Sequence, residues 1–496
     1  MDSKLKIYNS LTRQKEVFEP LNTPHVGLYA CGPTVYNEVH LGNLRTFVTF
    51  DTVFRYLTHL GYKVRYVRNI TDAGHLTDDT DSGEDKIEKR ARLEQLEPME
   101  VVQKYTNSFH EVCDLFNLVP PSIEPTATGH IVEQIAMVKR ILANGYAYES
   151  NGSVYFDVAK YMEKYPYGEL SGRKVEDLLD VSRDLQGTSD KKNFYDFALW
   201  IKTPENALQK WESPWSEGCP GWHLECSAMS TKYLGKQFDI HGGGFDLKFP
   251  HHECEIAQNV GADGISTPVK YWMHSNMLTM NGTKMSKSLG NSFLPKELIS
   301  GNHALLEKGY SPMAVRFFML QCHYRSTLDF SNVALQAAEK GFSRLANSHK
   351  TLQALVYKSG ATIPSEIDEV NKLCDSVFDC MNDDFNTAEA IAILFELSSK
   401  INSYKAGLIS IFSLDESAFL RLKSTFNVFF QAILGLDKED KNDDLLTEGL
   451  MALVLELRKE SRDKKDWATS DKIRETLTSL SIKVKDGKDG TEWSVG

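Results

Sequence analysis

The sequence predicts an α/β protein: a parallel sheet split by an insertion, then a helical bundle and a small C-terminal α+β domain. Three observations predict it: a strand–helix–strand order near the N-terminus, its return near residue 236, and the fading of strand signals beyond about residue 310. HVGLYACGP (His25 to Pro33) is a short apolar run stopped by Gly-Pro, as a buried strand would be. Leu44, Phe47, Val48, Val53, Phe54, Leu57 and Leu60 then recur at helical spacing, and Gly61 stands where a helix-terminating glycine belongs. YKVRYVRNI (Tyr62 to Ile70) is rich in β-formers and completes a parallel unit. Residues 73–115 are charged and helix-prone, whereas 116–214 mix helical stretches with strand-like pieces such as GSVYFDV (Gly152 to Val158), which marks an insertion. QFDI, HGGG and HHECEIAQ restore the strand–helix pattern, so both halves should share one sheet. AVRFFML, ALQAAEKGFSRLANSHKTLQALV and AEAIAILFELSSKI are amphipathic and predict the bundle. After the turn-rich LDKEDKNDD (Leu436 to Asp444), the tail ends in KVKDGKDGTEWSV, a hairpin following a helix. The expected domains are 1–115 with 215–295, 116–214, 296–345, 346–440 and 441–496.

A chain of 496 residues exceeds one ordinary core, and 41% hydrophobic with 25% charged residues is the composition of a globular protein. Lys and Arg number 56 against 68 Asp and Glu, a net charge of −12, so any nucleic-acid contact must use local patches. Eight cysteines, with no secretory signal after Met1, point to a reducing, cytoplasmic setting where thiols act as ligands or core residues. No run approaches the roughly 18 apolar residues a membrane span needs, so no membrane partner is expected.

Three elements suit phosphate. In TVYNEVHLGNLRTF, His40, Gly42 and Asn43 fall at a helix start, whose N–H groups and positive dipole end attract anions. In NGTKMSKSLGN (Asn281 to Asn291), Lys284 and Lys287 can neutralise a leaving pyrophosphate, although a solvated basic loop is the ordinary reading of two lysines. In FDIHGGGFDLKFPHHE, Gly242, Gly243 and Gly244 allow close backbone approach and Asp246 can accept from ribose hydroxyls, although a plain glycine turn has the same composition. A fourth constellation is chemical: Cys31 ends the first strand, Cys226 lies in GWHLECSAM, and His251 and Glu255 stand four apart on one helix face. Two thiolates, an imidazole and a carboxylate form a set acceptable to zinc.

With His40-Leu41-Gly42-Asn43 as an HIGH-like element and Lys284-Met285-Ser286-Lys287-Ser288 as KMSKS, the chain resembles the class I aminoacyl-tRNA synthetases. Asn43 replaces the last histidine of the first signature, keeping a hydrogen-bonding group without a titratable one. The GPTVY, PGWHLECSAM and FPHHE stretches resemble the cysteinyl-tRNA synthetases in particular, through nearly the whole chain. The resemblance implies a Rossmann-like nucleotide-binding sheet and ATP-dependent activation of L-cysteine, with Mg2+ on the ATP and one Zn2+ recognising the amino acid. It implies ATP contacts at His40, Gly42, Asn43, Gly243, Asp246, Lys284 and Lys287, with His40, Asn43 and both lysines catalytic. It also implies zinc on Cys31, Cys226, His251 and Glu255, and amino-acid contacts at Gly32, Thr34 and Trp222. Cys254, where the family often has asparagine, competes with Glu255 as a ligand on chemistry alone.

The resemblance further implies tRNA-Cys as partner of a monomer, with residues 296–345 contacting the acceptor stem and the tail reading the anticodon through Arg462, Trp467, Asp471 and Asp486. RKESRDKKD (Arg458 to Asp466) with Trp467 supplies cations and a stacking surface, although a solvated charged helix has the same look. NDDFNTAEAIAIL (Asn382 to Leu394) resembles the family's bundle signature, with Asp383 and Asp384 expected as helix caps. The catalytic half also resembles the cysteine ligase of mycothiol synthesis, whose relatives stop short of an anticodon domain. A zinc-stabilised tRNA-binding module without catalysis is the remaining alternative, and the intact HLGN and KMSKS elements oppose it.

Overall fold

The structure, a computed structural model, describes residues 5–73, 85–173, 190–285, 290–437, 441–480, 482–487 and 490–495. The chain forms two compact units, Met1–Leu436 and Asp437–Gly496. In the larger, four parallel strands lie in the order Val269–Ser275, Phe238–Gly244, His25–Ala30, Lys63–Arg68. Helix Leu41–His59 joins the last two and helix His251–Asp263 joins the first two, so the two expected strand–helix units do share one sheet.

The first helix begins three residues before the apolar pattern, because its cap is polar. The His40 Nδ1 accepts from the Asn43 backbone N–H (3.3 Å), and the Asn43 carboxamide accepts from the His40 backbone N–H (3.2 Å). Leu44, Phe47, Phe50, Val53 and Leu57 bury its inner face, and Gly61 ends it at φ +88°.

The triple glycine excludes the turn that its composition also allowed. Gly242 to Gly244 are not a turn; they continue the strand and pair with Met273, His274 and Ser275. A Cβ on Gly242 would lie 1.9 Å from the Phe50 ring, so this glycine lets the first helix settle against the sheet.

The insertion carries an antiparallel sheet ordered Ala147–Ser150, Ser153–Phe156, Phe197–Lys202, Gly218–Pro220. Its core, with Phe156, Leu199 and Trp200, also takes Cys254, Ala257 and Val260 from the His251 helix. One face of that helix is thereby fixed, and the other turns to the sheet.

After the sheet, Leu278–Met280 pairs with Thr283–Lys284 and with Leu328–Phe330, and helices from Pro312 to Asn427 form the bundle. Buried Arg316 ties it to the first helix, pairing with Asp51 and donating to the carbonyls of Leu434 (2.7 Å) and Phe116 (2.9 Å). Asp384 is not a cap. It is buried and accepts from the Tyr8 N–H (2.8 Å), the Tyr324 hydroxyl (2.7 Å) and Arg325 (2.6 Å), whereas Asn386 caps helix Thr387–Ala406. Asp383 pairs with Lys15 at the surface (2.7 Å).

The smaller unit packs helices Lys441–Asp463 and Trp467–Ser479 with a hairpin of Ile482–Gly487 and Gly490–Val495. No helix among the described residues is long and apolar enough to cross a membrane.

Candidate active site

At the carboxyl ends of the parallel strands opens a cavity of about 510 Å³, the position where open α/β sheets bind ligands. One wall is the start of the first helix, with His40, Gly42 and Asn43. Because the His40 Nδ1 accepts a backbone N–H, its neutral ring carries the proton on Nε2. Asp246, Lys284 and Met285 also line the cavity; Asp246 and Lys284 are exposed. Gly244, not Gly243, is the glycine of the triplet among the lining residues. Lys287 lies outside the described residues. Buried Arg45 holds the approach to the Lys284 hairpin, donating to the carbonyls of Asn276 (3.0 Å) and Met277 (2.8 Å).

The cavity floor is formed by Cys31, Cys226 and His251, with Gly32, Thr34 and Trp222 beside them. Cys31 follows the first strand, Cys226 lies on helix Trp222–Leu234, and His251 opens the helix that also carries Glu255. The ligating atoms of Cys31, Cys226, His251 and Glu255 fall within 4.8 Å of one another, all buried. Around a tetrahedral zinc, two thiolates sit about 3.8 Å apart and an N,O pair about 3.3 Å apart. The Cys31 and Cys226 sulfurs are 3.9 Å apart, and His251 Nε2 is 3.2 Å from Glu255 Oε1. That Oε1 is buried with no hydrogen-bond partner, whereas Oε2 pairs with His241 Nε2 (2.9 Å). An oriented carboxylate with one oxygen unsatisfied beside two thiols and an imidazole fits a divalent metal.

Burial pushes the Cys31 thiol up to about 11 and the Cys226 thiol well above its ordinary value. Desolvation likewise raises the Glu255 carboxyl, with His241 acting the other way. A bound dication reverses that balance by stabilising the thiolates.

A second quartet, Cys31, His241, His252 and Glu255, is equally compact. Its two histidines are not among the cavity-lining residues: His241 Nε2 bonds Glu255 (2.9 Å), and His252 lies behind Cys31, its Nε2 3.3 Å from the sulfur and its Nδ1 2.8 Å from His274, which bonds Ser10 (2.8 Å). Only the first quartet presents three members to the cavity. Cys254 belongs to neither, because its sulfur lies in the insertion core, 3.5 Å from the Tyr167 hydroxyl.

Trp222 lines the cavity, with its ring 4.6 Å from that of His251. A Cβ on Gly32 would fall 1.6 Å from the Asn69 carbonyl oxygen, so only glycine fits there. Thr34 forms a parallel bridge with Thr71. Asn69, Thr71, Glu225, His241 and His252 are site residues that pattern reading does not single out. Only Glu225 left a signal, since Trp222, Glu225 and Cys226 have the i, i+3, i+4 spacing of one helix face.

In the smaller unit, Arg462 near the end of one helix, and Trp467 and Asp471 one turn apart on the next, are all exposed. Asp486 lies in the first hairpin strand, paired with Thr491.

Residues 17–340 match the family described as tRNA synthetases class I (C) catalytic domain, and residues 376–437 match the DALR domain. The cysteine–tRNA ligase of Bacteroides thetaiotaomicron is 55% identical over 496 residues, 99% of each chain; that of Chlorobaculum tepidum is 48% identical over 99% of each. Among solved structures, the methionyl-tRNA synthetase of Mycobacterium tuberculosis bound to methionyl-adenylate has a TM-score of 0.55 at 14% identity, covering 82% of this chain and 89% of its own. The Agrobacterium radiobacter LeuRS ternary complex gives 0.57 at 12% identity, covering 84% and 85%. By fold, signatures and full-length similarity, the chain belongs to the cysteine–tRNA ligases, a branch of the class I aminoacyl-tRNA synthetases.

Proposed function

We propose that this protein activates L-cysteine with ATP as cysteinyl-adenylate and transfers the cysteinyl group to tRNA-Cys. One observation carries the reading: the two thiols and the imidazole of the metal-fitting set, backed by the Glu255 carboxylate, form the floor of the same cavity whose wall is an anion-attracting helix start. In the first step the cysteine carboxylate attacks the ATP α-phosphorus, an O–P bond forms, and pyrophosphate leaves with Mg2+. His40 donates from Nε2 to a phosphate oxygen, while the helix start with Gly42 and Asn43 holds the polyphosphate. Asp246 accepts from the ribose hydroxyls. Lys284 and Lys287 neutralise charge as pyrophosphate departs, an interaction strongest in the transition state. In the second step a ribose hydroxyl of the terminal tRNA adenosine attacks the acyl carbon and AMP leaves, its phosphate taking the hydroxyl proton.

Cys31, Cys226, His251 and Glu255 would hold Zn2+, whose chemistry is to bind the substrate sulfur as thiolate. Serine's hydroxyl is far less acidic and a harder, poorer partner. A steric pocket separates near-isosteres by only about 10 to 200-fold, so recognition through the donor set removes the need for editing. Gly32 and Trp222 shape the space around the side chain, with Thr34 beside them.

Arg462, Trp467, Asp471 and Asp486 read anticodon bases, and residues 296–345 contact the acceptor stem. The exposed cation, indole and carboxylate around one interhelical turn support this, because splayed single-stranded bases are recognised by stacking and edge contacts. The eight cysteines favour a reducing cytoplasm, and the protein acts there as a monomer. The experiment is cysteine-dependent ATP–pyrophosphate exchange followed by charging of tRNA-Cys. Exchange with L-cysteine but not L-serine is expected; equal exchange with both would remove the metal-recognition reading.

A further inference from the structure

The metal set and the phosphate-binding wall leave one end of the amino acid without a partner, its α-ammonium group. Glu225 stands on the cavity-facing side of helix Trp222–Leu234, between Trp222 and Cys226 on the same face, and lines the cavity. It is 2% exposed. Its Oε1 accepts the Thr71 hydroxyl (2.5 Å), the Thr71 oxygen accepts from the Asn69 side-chain amide Nδ2 (3.1 Å), and the Asn69 side-chain Oδ1 accepts the Gly32 N–H (2.9 Å). A relay beginning beside Cys31 therefore fixes the orientation of this carboxyl group. Its other oxygen, Oε2, is buried without a hydrogen-bond partner.

Buried carboxyl oxygens without a donor are rare, and one lining a ligand cavity is an acceptor waiting for a cation. In L-cysteine the nitrogen lies only about 3–4 Å from the sulfur, three bonds away, so a sulfur held near Cys226 brings the ammonium to the neighbouring residue. Of the other carboxylates lining the cavity, Glu38 already accepts the Ser108 hydroxyl and Asp246 is exposed.

We propose that Glu225 is the binding residue for the α-ammonium group of the amino-acid substrate, with the Thr71–Asn69–Gly32 chain holding it in place. The proposal rests on the cysteine reading above. It makes the floor a two-point reader: the metal set takes the sulfur, and Glu225 requires an amine at the adjacent carbon. Thiol acids without the amine are discriminated against by this second contact.

The test is equilibrium calorimetry on the zinc-loaded full chain with two probes, L-cysteine and 3-mercaptopropionate, which keeps the thiol and carboxylate but lacks the amine. The wild type should prefer cysteine by about 10 to 100-fold, the range of a charge-assisted hydrogen bond. Glu225→Gln should lose that factor for cysteine, hold 3-mercaptopropionate within about twofold, and retain its zinc stoichiometry. Should Glu225→Gln fail to fold or to hold zinc, Glu225→Asp, which keeps the charge on a shorter arm, should show the same selective loss at smaller size. Unchanged cysteine affinity, or equal loss of both probes with zinc intact, would overturn the assignment. A wild type that binds neither probe would instead sink the cysteine reading.

Discussion

The two ends of the cavity are built differently. At the floor, Cys31, Cys226, His251 and Glu225, with Glu255 behind them, are all buried and held on a strand end and two helices. His223 Nδ1 lies 3.0 Å from His251 Nδ1, and His241 and Thr71 hold one oxygen of each carboxyl group, so the floor is set before any ligand arrives. The wall at the helix start is open: Asp246 and Lys284 are exposed, and His40 and Asn43 share reciprocal capping bonds. Discrimination between nearly identical amino acids demands a rigid first contact, whereas phosphates that enter and leave call for accessible charge. On the proposed function, the contrast places selectivity at the floor and rate at the wall.

The sharpest way to break that division is to remove a floor ligand. Glu255→Ala should lose bound metal and slow cysteine-dependent exchange by at least about 10³-fold, or about 4 kcal/mol, read by metal analysis beside the exchange assay. The matching change in the wall, Lys284→Ala, should lower the exchange kcat by about 10²-fold and leave the calorimetric cysteine affinity unchanged. If Lys284→Ala weakened cysteine binding as much as rate, the two ends would not be separable.

Smaller changes sharpen it. His241→Leu removes the bond that orients Glu255 without touching the cavity and should weaken zinc by about 10 to 100-fold in chelator competition. Asn43→Ala, losing one arm of the reciprocal cap, should cost about 1 kcal/mol of stability in denaturant titration with zinc content unchanged.

The strand–helix order of the sheet and the capping of its first helix were legible because each is written locally: Gly61, the apolar spacing from Leu44, and HLGN are neighbours in sequence. The quartet of Cys31, Cys226, His251 and Glu255 was legible through resemblance, and only the helix pair at four-residue spacing had a physical signature. Close approach at Gly242 was legible from composition, but what approaches was not, because it is Phe50, nearly two hundred residues away in the chain. Asp384 was misread for the same kind of reason, since its partners Tyr8 and Tyr324 come from remote segments. The relay from Gly32 to Glu225 and the bond from His241 exist only after the sheet brings distant segments together, so no local pattern encodes them.

The most direct measurement replaces zinc by cobalt(II) and follows the sulfur-to-metal charge-transfer absorption of the full chain as amino acid is added. With Cys31 and Cys226 supplying two thiolates, L-cysteine should raise that absorption by about half, as a third sulfur joins two, and L-serine should leave it unchanged. An absorption unmoved by L-cysteine at concentrations that saturate exchange would contradict recognition of the substrate through its sulfur.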